Sequence, residues 1–259
     1  MKIDDTVITK KIVDSFYKKF VDSIDVDVVI VGAGPSGLVA ARYLAKNNKN
    51  VVIFERKLSV GGGIWGGGMG YPVIVIQKNA IDIFKEVGVK VVDTGNDYYT
   101  ADSIESVCKL CSSAIDVGVK IFNLISVEDV VLKNERIRGV VINHSAIELA
   151  KLHVDPISIG AKVVIDATGH GAEVCTIVQK KVGNLNTKLG RIEGEKSMCA
   201  ELGEKFVVEN TKQVYPGLYV TGMAVNAVFG GYRMGPIFGG MVLSGKKVAE
   251  RVLAEWERV

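Results

Sequence analysis

Apolar residues along the chain switch between two spacings, and each switch marks an element. Ile8, Ile12, Phe16 and Phe20 recur every four residues beyond a capping position at Asp5 or Thr6. Residues 6–24 are therefore expected to form an amphipathic helix that packs on the body or on another subunit. Val26 to Val31 is β-branched and barely alternates, the pattern of a strand buried on both faces. Pro35 to Lys46 has helical spacing, and Val51 to Phe54 reads as a second short buried strand. Together they make a βαβ unit.

Residues 57–72 form a glycine-rich loop around Trp65, and helical patterns follow near 77–87 and 101–117. β-rich runs at 119–122, 126–132 and 136–143 predict a small meander, inserted at about 119–143 between the halves of the main sheet. Lys162 to Asp166 is another buried strand, followed by a turn at Gly169 and a helix from Ala172. A polar loop at 183–197, a last parallel strand at Leu218 to Thr221 and a closing helix from Gly235 to Trp256 complete the pattern. Without internal repeats or a linker, residues 1–259 are expected to form one domain.

Composition narrows the function. The chain has 259 residues, 48% hydrophobic and 24% charged, with a formal net charge of +3. That excludes a disordered chain and gives no argument for a nucleic-acid partner. No apolar run approaches the roughly 18 residues of a membrane span, and Asp4, Asp5 and Asp14 interrupt the amino terminus, so neither membrane insertion nor secretion is expected. Cys108, Cys111, Cys175 and Cys199 show no disulfide framework, which fits a cytoplasmic protein. Cys108 and Cys111 lie in the helical pattern and are expected in the core. Glycine is in excess, 29 of 259 residues, and clustered: seven glycines fall between Gly61 and Gly70 and five between Gly230 and Gly240. Such clusters suggest backbone held close to a ligand.

The strongest motif, Gly32-Ala33-Gly34-Pro35-Ser36-Gly37, sits between the first strand and its helix. Gly32 permits the tight turn, Gly34 lets backbone approach a pyrophosphate, and Gly37 lets the helix pack on the sheet. Glu55, ending the second strand, is placed to accept the hydroxyls of an adenosine ribose. Val163 to Gly169 and Pro216 to Gly222 resemble two further strand signatures of flavoproteins on this fold, but Met223 stands where flavoproteins keep an aspartate. The expected class is α/β, a Rossmann-like dinucleotide-binding fold of the flavoprotein type with a small inserted β-meander. His170 follows a buried strand, and His153-Val154-Asp155-Pro156 precedes the same strand. A histidine and a carboxylate brought together there would suit a divalent metal with open positions. His144 is assigned no role, and Cys175, shortly after His170, is expected to be buried packing.

The fingerprint with Glu55-Arg56, the run from Gly61 to Met69, His153-Val154-Asp155-Pro156, Thr168-Gly169-His170 and Gly231 to Pro236 together resemble the thiazole synthases of thiamine biosynthesis, over nearly the whole chain. The resemblance implies an enzyme that consumes NAD as a substrate. Nicotinamide is lost, the ADP-ribose opens and isomerises to a ketose, glycine condenses as an imine, and sulfur enters before closure to an ADP-linked thiazole carboxylate. Eukaryotic members carry a sulfur-donating cysteine at the position of His153. This chain therefore resembles the archaeal form, which takes free sulfide, needs ferrous iron and turns over repeatedly. The resemblance also implies iron on Asp155 and His170 from neighbouring protomers of a homo-octamer, and Arg233 on the carboxylate of glycine. It implies further that Ser36, Glu55, Arg56, Gly63, Val127 and Met223 line the ADP portion, with His153 beside them. Three other readings share part of this pattern: a flavin oxidoreductase, a ribose bisphosphate isomerase and a non-catalytic NAD-binding protein.

Overall fold

The computed structural model describes residues 3–258. An eight-stranded sheet forms its centre, with a continuous path through Gln213–Tyr215, Leu218–Val220, Ile157–Asp166, Asp25–Val31, Val51–Glu55 and Lys120–Asn123. Every pair on that path is parallel except the first, which is antiparallel. Parallel strands need crossovers, and the crossovers cover both faces of the sheet. Side-chain alternation then feeds two cores. Val28, Ile30, Val51 and Ile53 enter one, and Val29, Val31, Val52 and Phe54 enter the other.

The β-rich stretch at 119–143 divides in two. Lys120–Asn123 is the parallel edge of the main sheet, beside Val51–Glu55. Ile125–Lys133 and Arg136–His144 form an antiparallel hairpin, joined to the first half of Ile157–Asp166. The second half of that strand pairs in parallel with Asp25–Val31. Gly160 is the point of exchange, opposite both Gly139 and Asp25.

Several boundaries differ from the sequence expectation for local reasons. Asp4, rather than Asp5 or Thr6, caps the first helix, Asp5–Val21, by accepting from the backbone N–H groups of Thr6 at 2.9 Å and Val7 at 3.2 Å. The helix expected at 77–87 is shortened to Ile81–Glu86. Before it, the β-branched run Val73–Gln77 pairs with Tyr98–Asp102. The closing helix starts at Gly239 rather than Gly235, because Ile237 bridges to Val75 and Val75 donates to the carbonyl of Pro236. Helices Ala200–Glu209 and Met223–Phe229 had no recognised periodicity. Cys108 is exposed and Cys111 half-buried, since helix Ser103–Asp116 turns Val107, Leu110 and Ala114 inward instead.

The first helix buries none of its residues. Its last turns touch the body: Phe16 and Phe20 meet Phe122 edge-on at 6.1 and 5.7 Å, and the Lys19 ammonium donates to the carbonyl of Ile121 at 3.0 Å. Val7, Ile8, Ile12, Val13 and Tyr17 stay exposed. No helix among the described residues is long and apolar enough to cross a membrane.

Candidate active site

The carboxyl ends of Asp25–Val31, Val51–Glu55 and Ile157–Asp166 open into a cleft of about 610 Å³, the position where open α/β sheets take their ligands. Steric necessity shapes its floor. Gly32 has φ +99°, and a Cβ there would stand 2.6 Å from the carbonyl oxygen of Ala167. A Cβ on Gly37 would stand 2.3 Å from the carbonyl oxygen of Gly32. Gly34 lines the cleft, and nothing lies within 4 Å of where its Cβ would be, so backbone there is open to a bulky anion. Gly34 also precedes helix Pro35–Lys46 without a side-chain cap, leaving the first N–H groups of the helix for phosphate oxygens.

Glu55 is fixed by the same turn. One carboxylate oxygen accepts from the N–H of Ala33 and the other from the N–H of Lys57, each at 2.9 Å. Each oxygen keeps a further lone pair for a ribose hydroxyl. Beside it Arg56 pairs with Glu173 at 2.6 Å. Burial raises the Glu173 carboxyl above its ordinary range despite that neighbour.

The cleft brings together Gly32, Gly34, Ser36, Glu55, Arg56, Gly63, Val127 and Met223 with His170 and Arg233. Gly37 packs beneath it. His170 rides on the short turn Gly169–Gly171, braced by the fully buried Asp166, which accepts from the N–H and hydroxyl of Thr168 at 3.0 and 2.6 Å and from the N–H of Cys175 at 2.9 Å. Arg233 belongs to Tyr232–Arg233, paired with Lys196–Met198, and forms no ion pair among the described residues. His153 and Asp155 lie outside the cleft lining, and both are exposed. The Asn143 side-chain amide donates to the carbonyl of Val154 at 3.0 Å, tying their segment to the hairpin whose other strand supplies Val127. Among the described residues no three histidine, cysteine or carboxylate side chains group as a metal site.

Two carboxylates escaped the sequence reading. Glu195, in the polar loop, bonds Nδ1 of His170 through both carboxylate oxygens, at 2.7 and 2.9 Å. Glu204 lies buried under the start of helix Gly239–Ala254, accepting from the N–H of Gly240 at 2.5 Å and from the amide of Gln77. Burial pushes its carboxyl up to about 7 against those two hydrogen bonds. Its second oxygen and the side-chain oxygen of Gln77 have no partner. None of these pairings leaves a local sequence signal, because each joins residues at least 25 positions apart. Cys175 is completely buried, and burial raises its thiol well above the ordinary range. Trp65 anchors its loop by donating to the carbonyl of Val60 at 2.5 Å.

The chain matches the Thi4 family model over residues 9–238. The thiamine thiazole synthase of Methanothermobacter thermautotrophicus is 51% identical over 254 residues, 98% of each chain. That of Methanococcoides burtonii is 54% identical over 256 residues, again 98% of each. The crystal structure of Thermovibrio ammonificans THI4 superposes with a TM-score of 0.95 at 45% identity, covering 99% of this chain and 100% of that one. A geranylgeranyl bacteriochlorophyll reductase-like protein of Thermoplasma acidophilum, at 15% identity and TM-score 0.54 over 90% of this chain and 79% of its own, shares the fold alone.

Proposed function

The chain belongs to the Thi4 family, and on that premise we propose that it is a sulfide-dependent thiazole synthase. In this reading it converts NAD, glycine and free sulfide into the ADP-linked thiazole carboxylate precursor of thiamine, with repeated turnover. The observation that carries the reading is one cleft in which the glycine cradle and Glu55 stand beside His170 and Arg233. The names of the relatives support thiazole formation.

The first N–H groups of helix Pro35–Lys46 hold the pyrophosphate, and Glu55 accepts the adenosine ribose hydroxyls. With the ADP end fixed, the nicotinamide ribose extends toward His170 and Arg233. Water replaces nicotinamide at the first ribose carbon, the resulting hemiacetal opens and isomerises to a ketose, and the glycine amine condenses with the ketone, releasing water. Arg233, without an ion pair among the described residues, presents a planar fork to the glycine carboxylate. Sulfide from solution supplies the sulfur, because His153 is no thiol and Cys175 is sealed in the core.

An imidazole and a carboxylate are fitting donors for ferrous iron, and His170 has its Nδ1 occupied by Glu195 and its Nε2 left for a metal. Asp155 is exposed outside the cleft lining, so the donor set closes with Asp155 of a second copy and His170 of the first. When bound, the ion supplies Lewis acidity to the carbon beside the imine. The homo-octamer implied by the resemblance would bring such copies together, and the exposed apolar face of the first helix is a surface available for it.

Purified protein incubated without oxygen with NAD, glycine, sulfide and ferrous iron is expected to form an adenylated thiazole carboxylate, read by mass spectrometry. Absence of that product overturns the reading. Asp155→Ala and His170→Ala chains, each inactive alone, are expected to regain activity when co-assembled. Failure to complement removes the shared site.

A further inference from the structure

The geometry points to Glu195 as the positioning residue of His170, a role that rests on the metal reading above and adds a member to it. Both oxygens of Glu195 face Nδ1, at 2.7 and 2.9 Å. An ionised carboxylate only accepts, so Nδ1 carries the proton and the Nε2 lone pair is left for a cation. A carboxylate behind an imidazole fixes both the tautomer and the ring plane, and raises the basicity of the nitrogen that faces the metal.

The carboxylate is itself held. Backbone N–H groups on either side of Glu195 are committed: Gly194 donates to Ala227 at 3.0 Å and Lys196 to Gly231 at 2.8 Å. The Glu195 side chain is 18% exposed, against 53% for the imidazole it supports, so the fixed partner is the carboxylate and the ring is what it steadies. The next residues, Lys196–Met198, pair with Tyr232–Arg233. One short strip of chain thus ties the orientation of His170 to the strand that presents Arg233.

The test uses the full-length protein and Co²⁺ as a coloured stand-in for ferrous iron. Co²⁺ affinity, the visible band of the bound ion, ADP affinity and thermal unfolding are measured for the parent, Glu195→Gln, Glu195→Ala and His170→Ala. Loss of a carboxylate behind a metal-ligating histidine weakens metal binding by about 10 to 100-fold. Glu195→Ala is expected to show that loss and Glu195→Gln a smaller one, since an amide oxygen still accepts from Nδ1. ADP affinity and the band of the saturated protein are expected to stay as in the parent. Parent-like Co²⁺ affinity in both Glu195 variants, with binding lost in His170→Ala, overturns the role of Glu195 and leaves the metal reading standing. A changed band in the Glu195 variants makes Glu195 a ligand and overturns the positioning role. A parallel fall in ADP affinity or unfolding temperature shows a merely structural residue and overturns it also. Parent-like binding in His170→Ala overturns the metal reading itself.

Discussion

The nucleotide cradle and the His153–Asp155 segment serve the same proposed reaction by opposite means. The cradle is backbone, packed at Gly32 and Gly37 until no other residue fits: a side chain on Gly37 meets a carbonyl at 2.3 Å. The segment is exposed side chain, tied to the body by the bond from Asn143 to the carbonyl of Val154. A site made of backbone is complete inside one chain and is specified by sterics. Exposed side chains acquire a partner only when something else arrives.

Gly37→Ala should break the cradle side of this contrast outright. Its Cβ cannot be accommodated without moving the Gly32 turn or the helix, a strain of about 3 kcal/mol or more, so calorimetry should find lost ADP binding together with a lowered denaturation midpoint. Asp155→Ala is the matching blow to the other side. Turnover should collapse, whereas ADP affinity and stability should stay within about 0.5 kcal/mol of the parent, as for an exposed substitution. Equal damage to ADP binding in that variant would erase the distinction.

Glu55→Ala sharpens it by degree. Hydrogen bonds to a charged acceptor contribute about 1.5–3 kcal/mol, so NAD and ADP affinity should fall by roughly 10 to 100-fold. Some stability should be lost as well, because the N–H groups of Ala33 and Lys57 lose their acceptor. A different effect, on stability rather than affinity, concerns the packing under the cleft. The Glu204 carboxyl titrates near 7 in the fold and in the ordinary carboxyl range when unfolded. Its raised pKa means the folded state prefers the protonated form. Stability should therefore be greatest below the ordinary carboxyl range and decline as pH rises through about 7, by on the order of 3 kcal/mol. Glu204→Gln should flatten that slope in chemical denaturation, since an amide nitrogen replaces the unpartnered oxygen beside Gln77. Cys108→Ser, on an exposed helix face, should change neither stability nor turnover measurably.

The sequence reading saw what repeats or crowds. Pro35–Lys46 and the strands at Asp25 and Val51 were legible because burial on both faces leaves continuous apolar runs, and the fingerprint because its three glycines fall within six consecutive residues between strand and helix. Helix Met223–Phe229 was not, since all seven of its residues are buried, Asn226 included, and a helix buried on every side shows no polar face to detect. Val73–Gln77 was not recognised as a strand because its partner lies 21 to 29 residues on, between Tyr98 and Asp102. Of the site, Arg233 and His170 were legible through motifs. Glu195 and Glu204 were not, because a carboxylate in a polar loop or on a short helix looks the same whether it faces water or a partner far along the chain.

The strand Ile157–Asp166 begins just past Asp155 and ends just before the turn of His170. In the split arrangement, each chain thus furnishes one donor for its own cleft and lends the other away. Damage at Asp155 then leaves the chain that carries it intact and silences a neighbour. In a mixture with the parent, each altered chain costs one cleft, its neighbour's, so activity falls in proportion to the dose of altered chains.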